Sequence, residues 1–343
     1  MLVLNDVHQH LHSSEEADID RLRIKKFVQY KGYSCDMSGC KNADDYLAEN
    51  SSKKSQNNLR KHIRKLESCF DVDFRVYGED ISPKDYESII GSFFSLLEKR
   101  WVDLSKDNDI LKDKIFYKEL IYEMLKSKEA KLFILSADNS PVNIALGFTT
   151  KQYLFFAITA FDSDYGKFNV GHIMIKKMVD WCLQNDIITL DFSKGTYEYK
   201  LRWANNTYNF ENHVIYDSGA LKSLLLGTCL NYFYELKEYL RRKKVNVVYS
   251  KLKQFFKLSA KKNLQKIEVS LKDLNGSHID VNSLPALSRA SEAFDLLRPT
   301  IYNLVFYKPQ KFTDVQVYVA NEENTFIISG ENILQRALIS TIA

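Results

Sequence analysis

The sequence predicts a mixed α/β (α+β) fold, with helices flanking a mixed central sheet. Three observations predict it. Between Phe70 and Ile215 the apolar period switches repeatedly between two residues and about 3.6, which gives the order β-α-α-β-β-β-α-β-α-β. Only five Pro and twelve Gly punctuate 343 residues, so the elements are regular and their connections short. Apolar residues make up 45% of the chain and aromatics 13%, enough to bury a sizeable core.

The elements follow in order. Residues 1–42 are ambiguous, and 18–28 read as a strand or a short helix. His8, His10 and His12 alternate, so one strand face could carry all three. Terminal residues fray more often than they bind metal, so solvated imidazoles are the expectation. Residues 42–69 read as a helix with Leu59, Ile63 and Leu66 on its core face. Its other face is basic, with Lys53, Lys54, Arg60, Lys61, Arg64 and Lys65. That face is either solvated or a contact for a phosphate-bearing or acidic ligand.

Residues 70–77 alternate as a half-buried strand does. Ser82-Pro83 supplies an N-cap and a Pro at the first helical position, opening a helix to about Trp101. A second helix covers 114–126, and strands follow at 130–136, 142–149 and 153–159. The turn residues Asp138-Asn139-Ser140-Pro141 and Lys151-Gln152 separate those strands. After a loop at 161–168, the helix 169–184 carries Ile173, Ile175, Met178, Val179 and Cys182.

Residues 187–210 are the stretch around which the rest is organised. A short apolar strand ends in Asp191-Phe192, and Gly195 can take φ > 0 in the turn that follows. Tyr199 and Trp203, and Glu198 and Arg202, are then four apart, which is helical spacing. In α/β sheets, ligands gather at the C-terminal edge of such strands. Residues 207–215 close the domain as a strand.

The formal charge of +4 is mild and does not by itself call for nucleic acid. Its distribution is uneven. Residues 218–262 hold eleven Lys or Arg against Glu235 and Glu238, a local charge of +9. Helices are expected at about 221–240 and 247–258, with Arg241-Arg242-Lys243-Lys244 compensating the first helix's C-terminal dipole. Three readings stay open for them: packing on the domain with the basic face in water, peripheral contact with an anionic membrane surface, or contact with nucleic acid. Residues 266–343 read as a small α+β tail, with strands at 266–271 and 301–307, a helix at 284–297 and a hairpin at 315–329. The expected organisation is therefore 1–69, 70–217, 218–265 and 266–343. Five cysteines without a C-x-x-C pair read as thiols in a reducing compartment, and no signal-peptide pattern follows Met1. A cytoplasmic location, with the basic helices at the inner membrane face in the second reading, is the expectation.

Several motifs add a resemblance. They are Tyr46-Leu47-Ala48, Asn58-Leu59-Arg60 and Ile63-Arg64-Lys65-Leu66, then Arg100-Trp101, then Asp162, Tyr165, Asn169 and Gly171. Asp191-Phe192, Gly195, Tyr199, Lys200 and Trp203 complete the set. Together with the element order, they resemble the GNAT acyltransferase fold, and more narrowly its FemAB/CelD-like branch from surface-polysaccharide gene sets. The resemblance spans about half the chain. Some forty residues precede the leading helix, which reads as a shortened N-terminal half. Asn169-Val170-Gly171-His172 holds the place of the family's Arg/Gln-x-x-Gly-x-Gly/Ala loop with a single glycine.

The resemblance implies acyl transfer, with acetyl-CoA or another acyl-CoA as cosubstrate and no metal. It implies a small-molecule acyl donor and a glycan or amino acceptor as partners. Asn169, Val170, Gly171 and His172 would hold the donor pyrophosphate at a helix N-terminus. A backbone N–H of strand 153–159 would polarise the thioester carbonyl. Asp162 or Asp191 would take the acceptor's proton, and Tyr199 would protonate the leaving thiolate. Arg60, Arg64 and Lys200 would bind an anionic acceptor. Asp191 paired to Lys200 simply to pin strand to helix is the competing structural reading. Two other functions remain open: a non-catalytic scaffold of an envelope-polysaccharide complex, and an aminoacyl-tRNA-dependent transferase.

Overall fold

A computed structural model describes residues 1–9, 21–104, 109–243, 266–274 and 280–342. His10, His12 and the expected helix at 247–258 lie outside them. In chain order the elements are β1 (Leu2–His8), β2 (Leu22–Asp36), α1 (Ala43–Asn50), α2 (Lys53–Cys69), β3 (Val72–Tyr77), α3 (Pro83–Leu104), α4 (Asp109–Lys112) and α5 (Lys114–Lys126). Then come β4 (Ala130–Ala137), β5 (Ser140–Thr149), β6 (Tyr153–Phe161), α6 (Val170–Gln184), β7 (Thr189–Lys194), α7 (Glu198–Trp203) and β8 (Asn206–Asp217). The chain continues with α8 (Leu221–Arg242), β9 (Lys266–Asp273), α9 (Glu292–Tyr307), β10 (Gln316–Val319), β11 (Thr325–Ser329) and β12 (Leu334–Ile342). This is the mixed α/β architecture that the alternating periods predict.

The chain divides into two units, each built from two stretches of sequence. The first comprises residues 1–36 and 191–264, the second residues 37–190 and 265–343. In the first, the strand order is β1-β8-β2-β7. β8 pairs antiparallel with both β1 and β2. Helix α8 packs on this sheet through Tyr234, with Phe27, Val214 and Tyr216 buried beneath it. The approach is close because residue 227 is Gly: a Cβ there would lie 2.5 Å from Tyr216 Cγ.

In the second unit β3, β4, β5 and β6 form an antiparallel ladder. Thr189 and Leu190, the start of β7, follow β6 through a helical crossover, the connection parallel neighbours need. Gln152 O accepts from both Ile188 and Thr189 N–H at the foot of that pair. One face of the ladder, with Leu132, Ile134, Ile144 and Leu146, packs on α3 and α5. The other face meets α6, where Phe133 lies edge-on to Trp181 at 5.0 Å. A separate sheet of order β10-β11-β12-β9 belongs to the same unit.

Three sequence expectations need correction. The N-terminus is not frayed at His8, because β1 finds its hydrogen-bonding partner in β8, some two hundred residues away. Residues 42–69 are two helices, because Ser51 returns its hydroxyl to Leu47 O while Ser52 caps α2 through Ser55 N–H. Residues 301–307 are helical, not a strand, and the helix expected at 284–297 begins only at Glu292. Phe294, Leu297, Ile301 and Val305 are buried at spacings of three and four, and that stripe carries α9 through Pro299 despite the missing N–H.

Candidate functional site

Sequence places the residues of interest in both units, and each set has its own geometry. Asp162, Asn169, Val170, Gly171, His172, Arg60 and Arg64 fall in the second unit; Asp191, Tyr199 and Lys200 fall in the first.

In the second unit the centre is β6 and the turn that leads from it into α6. The ladder slips by one residue here: Leu146 faces Ile158 but Gly147 faces Phe156, so Ala157 is an extra residue on β6. A bulge of this kind re-aims backbone groups and is common beside active sites. The segment Ser163–Phe168 forms a 3-10 turn, capped by Asp162, whose carboxylate accepts the Asp164 N–H at 3.1 Å. Asn169 then adopts φ 63°, ψ 36°, a left-handed conformation that Asn tolerates, and makes no side-chain cap. α6 thus starts with its N-terminal backbone and dipole presented at Val170 and Gly171. A Cβ added to Gly171 would meet nothing within 4 Å, so there is open room over the helix start. These features fit a pyrophosphate.

The turn is held rigidly. Lys99 of α3 bridges Asp162 and Asp164, and Arg298 of α9 reaches Asp164 at 2.8 Å and Asp295 at 3.0 Å. Tyr165 packs on Tyr302 with ring centroids 4.5 Å apart and their hydroxyls 3.2 Å apart. Burial pushes the Tyr165 and Tyr302 hydroxyls well above the usual tyrosine range. Arg100 donates to Thr159 O at 2.6 Å and stacks over Phe161, fixing the end of β6. Thr159 donates to the buried Asn143, which in turn donates to Val170 O, tying β6 to the first residue of α6.

α2 carries a groove of about 410 Å³ lined by Asn57, Arg60, Lys61, Arg64, Lys65 and Ser68. These residues recur every three or four positions, so the groove follows one helix face. Arg60 has Asp44 at 3.4 Å, and Lys65 lies over the Phe306 ring at 4.0 Å.

In the first unit, Asp191 is 1% exposed and surrounded by donors. The Tyr208 hydroxyl lies 2.7 Å from both carboxylate oxygens, His8 Nε2 lies 2.9 Å from Oδ2, and the Ser193 N–H donates to Oδ1 at 2.6 Å. The His8 ring stacks on Tyr208 at 3.9 Å. Lys200 is 3% exposed and donates to Lys194 O at 2.7 Å and Ser193 O at 3.3 Å. Burial pulls its ammonium down to about 8, against a smaller opposing pull from Asp191. Asp191 and Lys200 are therefore joined through the turn between them. The carboxylate takes an N–H of Ser193 and the ammonium takes the Ser193 and Lys194 carbonyls. That clamp holds Ser193 at φ 63° and Gly195 at φ 94°. Tyr199 lies edge-on to Phe192 at 5.8 Å.

Sequence reasoning missed His8 and Tyr208 as partners of Asp191. The only signals were the His8/His10/His12 alternation and a Tyr on the β8 strand. Among the described residues, no group of three or more His, Cys, Asp or Glu is placed to hold a metal ion. Nor, among those residues, is any helix long and apolar enough to cross a membrane.

Residues 53–201, from the first turn of α2 into α7, match the family model described as "Acetyltransferase (GNAT) domain". Over those residues the chain is similar to GNAT acetyltransferase domains. The bulged β6, the turn and the start of α6 all lie inside the matched residues. No curated protein matches the chain. Among solved structures it is similar to FemX at 11% identity, covering 62% of this chain and 71% of that one, with a TM-score of 0.44. It is similar to the C-terminal domain of a putative lysylphosphatidylglycerol synthetase from Agrobacterium fabrum at 11% identity, 65% and 70% coverage and a TM-score of 0.44. A conserved protein of unknown function from Bacteroides thetaiotaomicron matches at 14% identity, 62% and 68% coverage and a TM-score of 0.41. No residue role follows from these likenesses.

Proposed function

We propose that the GNAT domain moves an acetyl group from acetyl-CoA onto an amine or hydroxyl of a phosphate-bearing cell-surface glycan precursor, as a member of the FemAB/CelD-like branch. The observation that supports this reading is the conjunction of the Ala157 bulge in β6 with an uncrowded helix start at Gly171. Val170, Gly171 and His172, following the left-handed Asn169, receive the donor pyrophosphate. A backbone N–H of the bulged strand donates to the thioester carbonyl and stabilises the oxyanion as the acceptor attacks. A C–N or C–O bond forms, the C–S bond breaks, and the acceptor's proton ends on the enzyme while the CoA thiolate is protonated.

In this reading Asp162 positions the turn, since its carboxylate is engaged by Lys99 and the Asp164 N–H. Asp191, in direct hydrogen bond with His8, has the chemistry of a general base, and Tyr199 that of a proton donor. The α2 groove, with Arg60 and Arg64, binds the acceptor phosphate. Lys200 serves the turn rather than the acceptor, because its Nζ already donates to two carbonyls.

Titration calorimetry with acetyl-CoA and CoA on the full chain tests the donor half. The reading expects binding that is lost, by about a hundredfold, in Gly171→Trp without change in melting temperature. No heat from either nucleotide, or equal affinity in the variant, would sink it. The same groove favours a second reading, an aminoacyl-tRNA-dependent transferase, because four cations on one helix face suit a nucleic-acid backbone. Salt-dependent tRNA binding that falls in Arg60→Ala/Arg64→Ala would choose that reading.

A further inference from the structure

The exposed side of α8 has no role in the reading above. Leu221, Leu225, Tyr232, Phe233, Leu236 and Tyr239 are each more than half exposed, whereas Gly227 and Tyr234 face the sheet. A core helix hides its apolar residues; this one shows a second set to solvent. Their spacing is helical throughout, so they form one stripe about 27 Å long at 1.5 Å per residue. At about 100° per residue, Lys222 and Lys243 project within the apolar arc, Lys237 and Glu235 each fall about 40° beyond opposite edges of it, and Glu238 falls farther outside. Lys222 and Lys243 are exposed. Lys243 lies 5.9 Å from the Tyr239 ring and Lys237 5.7 Å from the Tyr234 ring, ammonium above aromatic.

We propose that this stripe is a docking surface for an anionic lipid bilayer, on which α8 lies flat with its leucines and aromatic rings at the headgroup–acyl boundary. The charge pattern selects that occupant. The sequence that follows α8, residues 244–262, has six lysines and no acidic residue. Laid over the stripe, it would set lysine against lysine. A second copy laid antiparallel along the stripe about a two-fold axis would set the Lys222 end of one helix against the Lys243 end of the other. An anionic surface instead complements both the helix lysines and the lysines beyond them, and leaves the apolar rings a solvent to enter. Tyr and Phe beside Lys suit that boundary, since each has an apolar body and, for Tyr and Lys, a polar tip. The proposal is independent of the donor and acceptor readings, and no step of acyl transfer enters its test.

The test is co-sedimentation of the full chain with vesicles of phosphatidylcholine alone and of phosphatidylcholine with phosphatidylglycerol. Binding is expected only to the anionic vesicles, and it should weaken as salt rises. Leu225→Asp/Leu236→Asp should lose at least tenfold in vesicle affinity with unchanged melting. Lys222→Glu and Lys243→Glu should lose about fivefold each, which a purely apolar patch would not show. Three results would overturn the proposal. They are no binding to anionic vesicles, variants that bind like the parent chain, and a concentration-dependent dimer in light scattering that the leucine variant abolishes.

Discussion

Two turns in this protein are built around an aspartate, and they compensate its charge in different ways. In the second unit Asp162 opens the 3-10 turn before α6, and its carboxylate lies against the Lys99 ammonium. Arg298 engages the neighbouring Asp164, so two carboxylates and two cations form a network that ties the turn to α3 and α9. In the first unit Asp191 lies within β7 among a tyrosine hydroxyl, an amide and an imidazole, and the Lys200 ammonium donates to the Ser193 and Lys194 carbonyls. Full charge compensation makes a carboxylate a fastener. Compensation by hydroxyl, amide and imidazole groups leaves it able to orient an imidazole through a hydrogen bond. The same residue type, just after one strand and within another, is thus given two uses by its surroundings.

The sharpest way to break this contrast is to remove each carboxylate. Asp191→Ala leaves the Tyr208 hydroxyl and the Ser193 N–H buried without their acceptor, and releases one end of the strained turn. A loss of about 3–5 kcal/mol in urea unfolding is expected. A loss below about 1 kcal/mol would show that the cluster is solvated and not the buried site described.

A second effect follows from Lys200. Its folded-state pKa is about 8 against an unfolded value of about 10.5, so between those pH values the unfolded chain binds more protons. Its contribution to stability therefore rises as pH climbs from 8 to 10.5, by on the order of 3 kcal/mol at most. Lys200→Met should remove that rise, so the parent-minus-variant stability difference climbs through this window and is flat below it. A difference curve that is flat throughout would mean the ammonium is hydrated.

The smallest effect belongs to the fastened turn. Arg298→Ala leaves Lys99 still bridging Asp162 and Asp164, so about 1 kcal/mol is expected in thermal unfolding. The same variant should weaken acetyl-CoA binding severalfold without touching the ligand, because α9 supports the turn that sets the start of α6. Unchanged affinity would separate the turn from donor binding.

What the sequence made legible follows the reach of each signal. The Ser82 cap, the left-handed Gly195 and the helix stripe of α6 are local, and they appear where residue chemistry puts them. The bulge at Ala157 depends on the register of two strands, which no single segment encodes. The partners of Asp191 arrive from β1 and β8, so His8 reads as part of a loose terminus until its strand is paired. Pro299 disguised α9 because the local cost of a proline is visible in sequence, whereas the burial of Ile301 and Val305 that outweighs it is tertiary. Lys200 illustrates the same limit. Its spacing from Asp191 suggested a direct ion pair, but the buried turn placed two carbonyls between the charges.

The measurement that tests the account most directly is amide hydrogen exchange across the full chain, with and without acetyl-CoA. The account predicts added protection in the peptides covering Ala157 to Phe161 and Asn169 to Ile173, with the β10–β12 sheet unchanged. Protection confined to other segments, or no change at saturating acetyl-CoA, would contradict it.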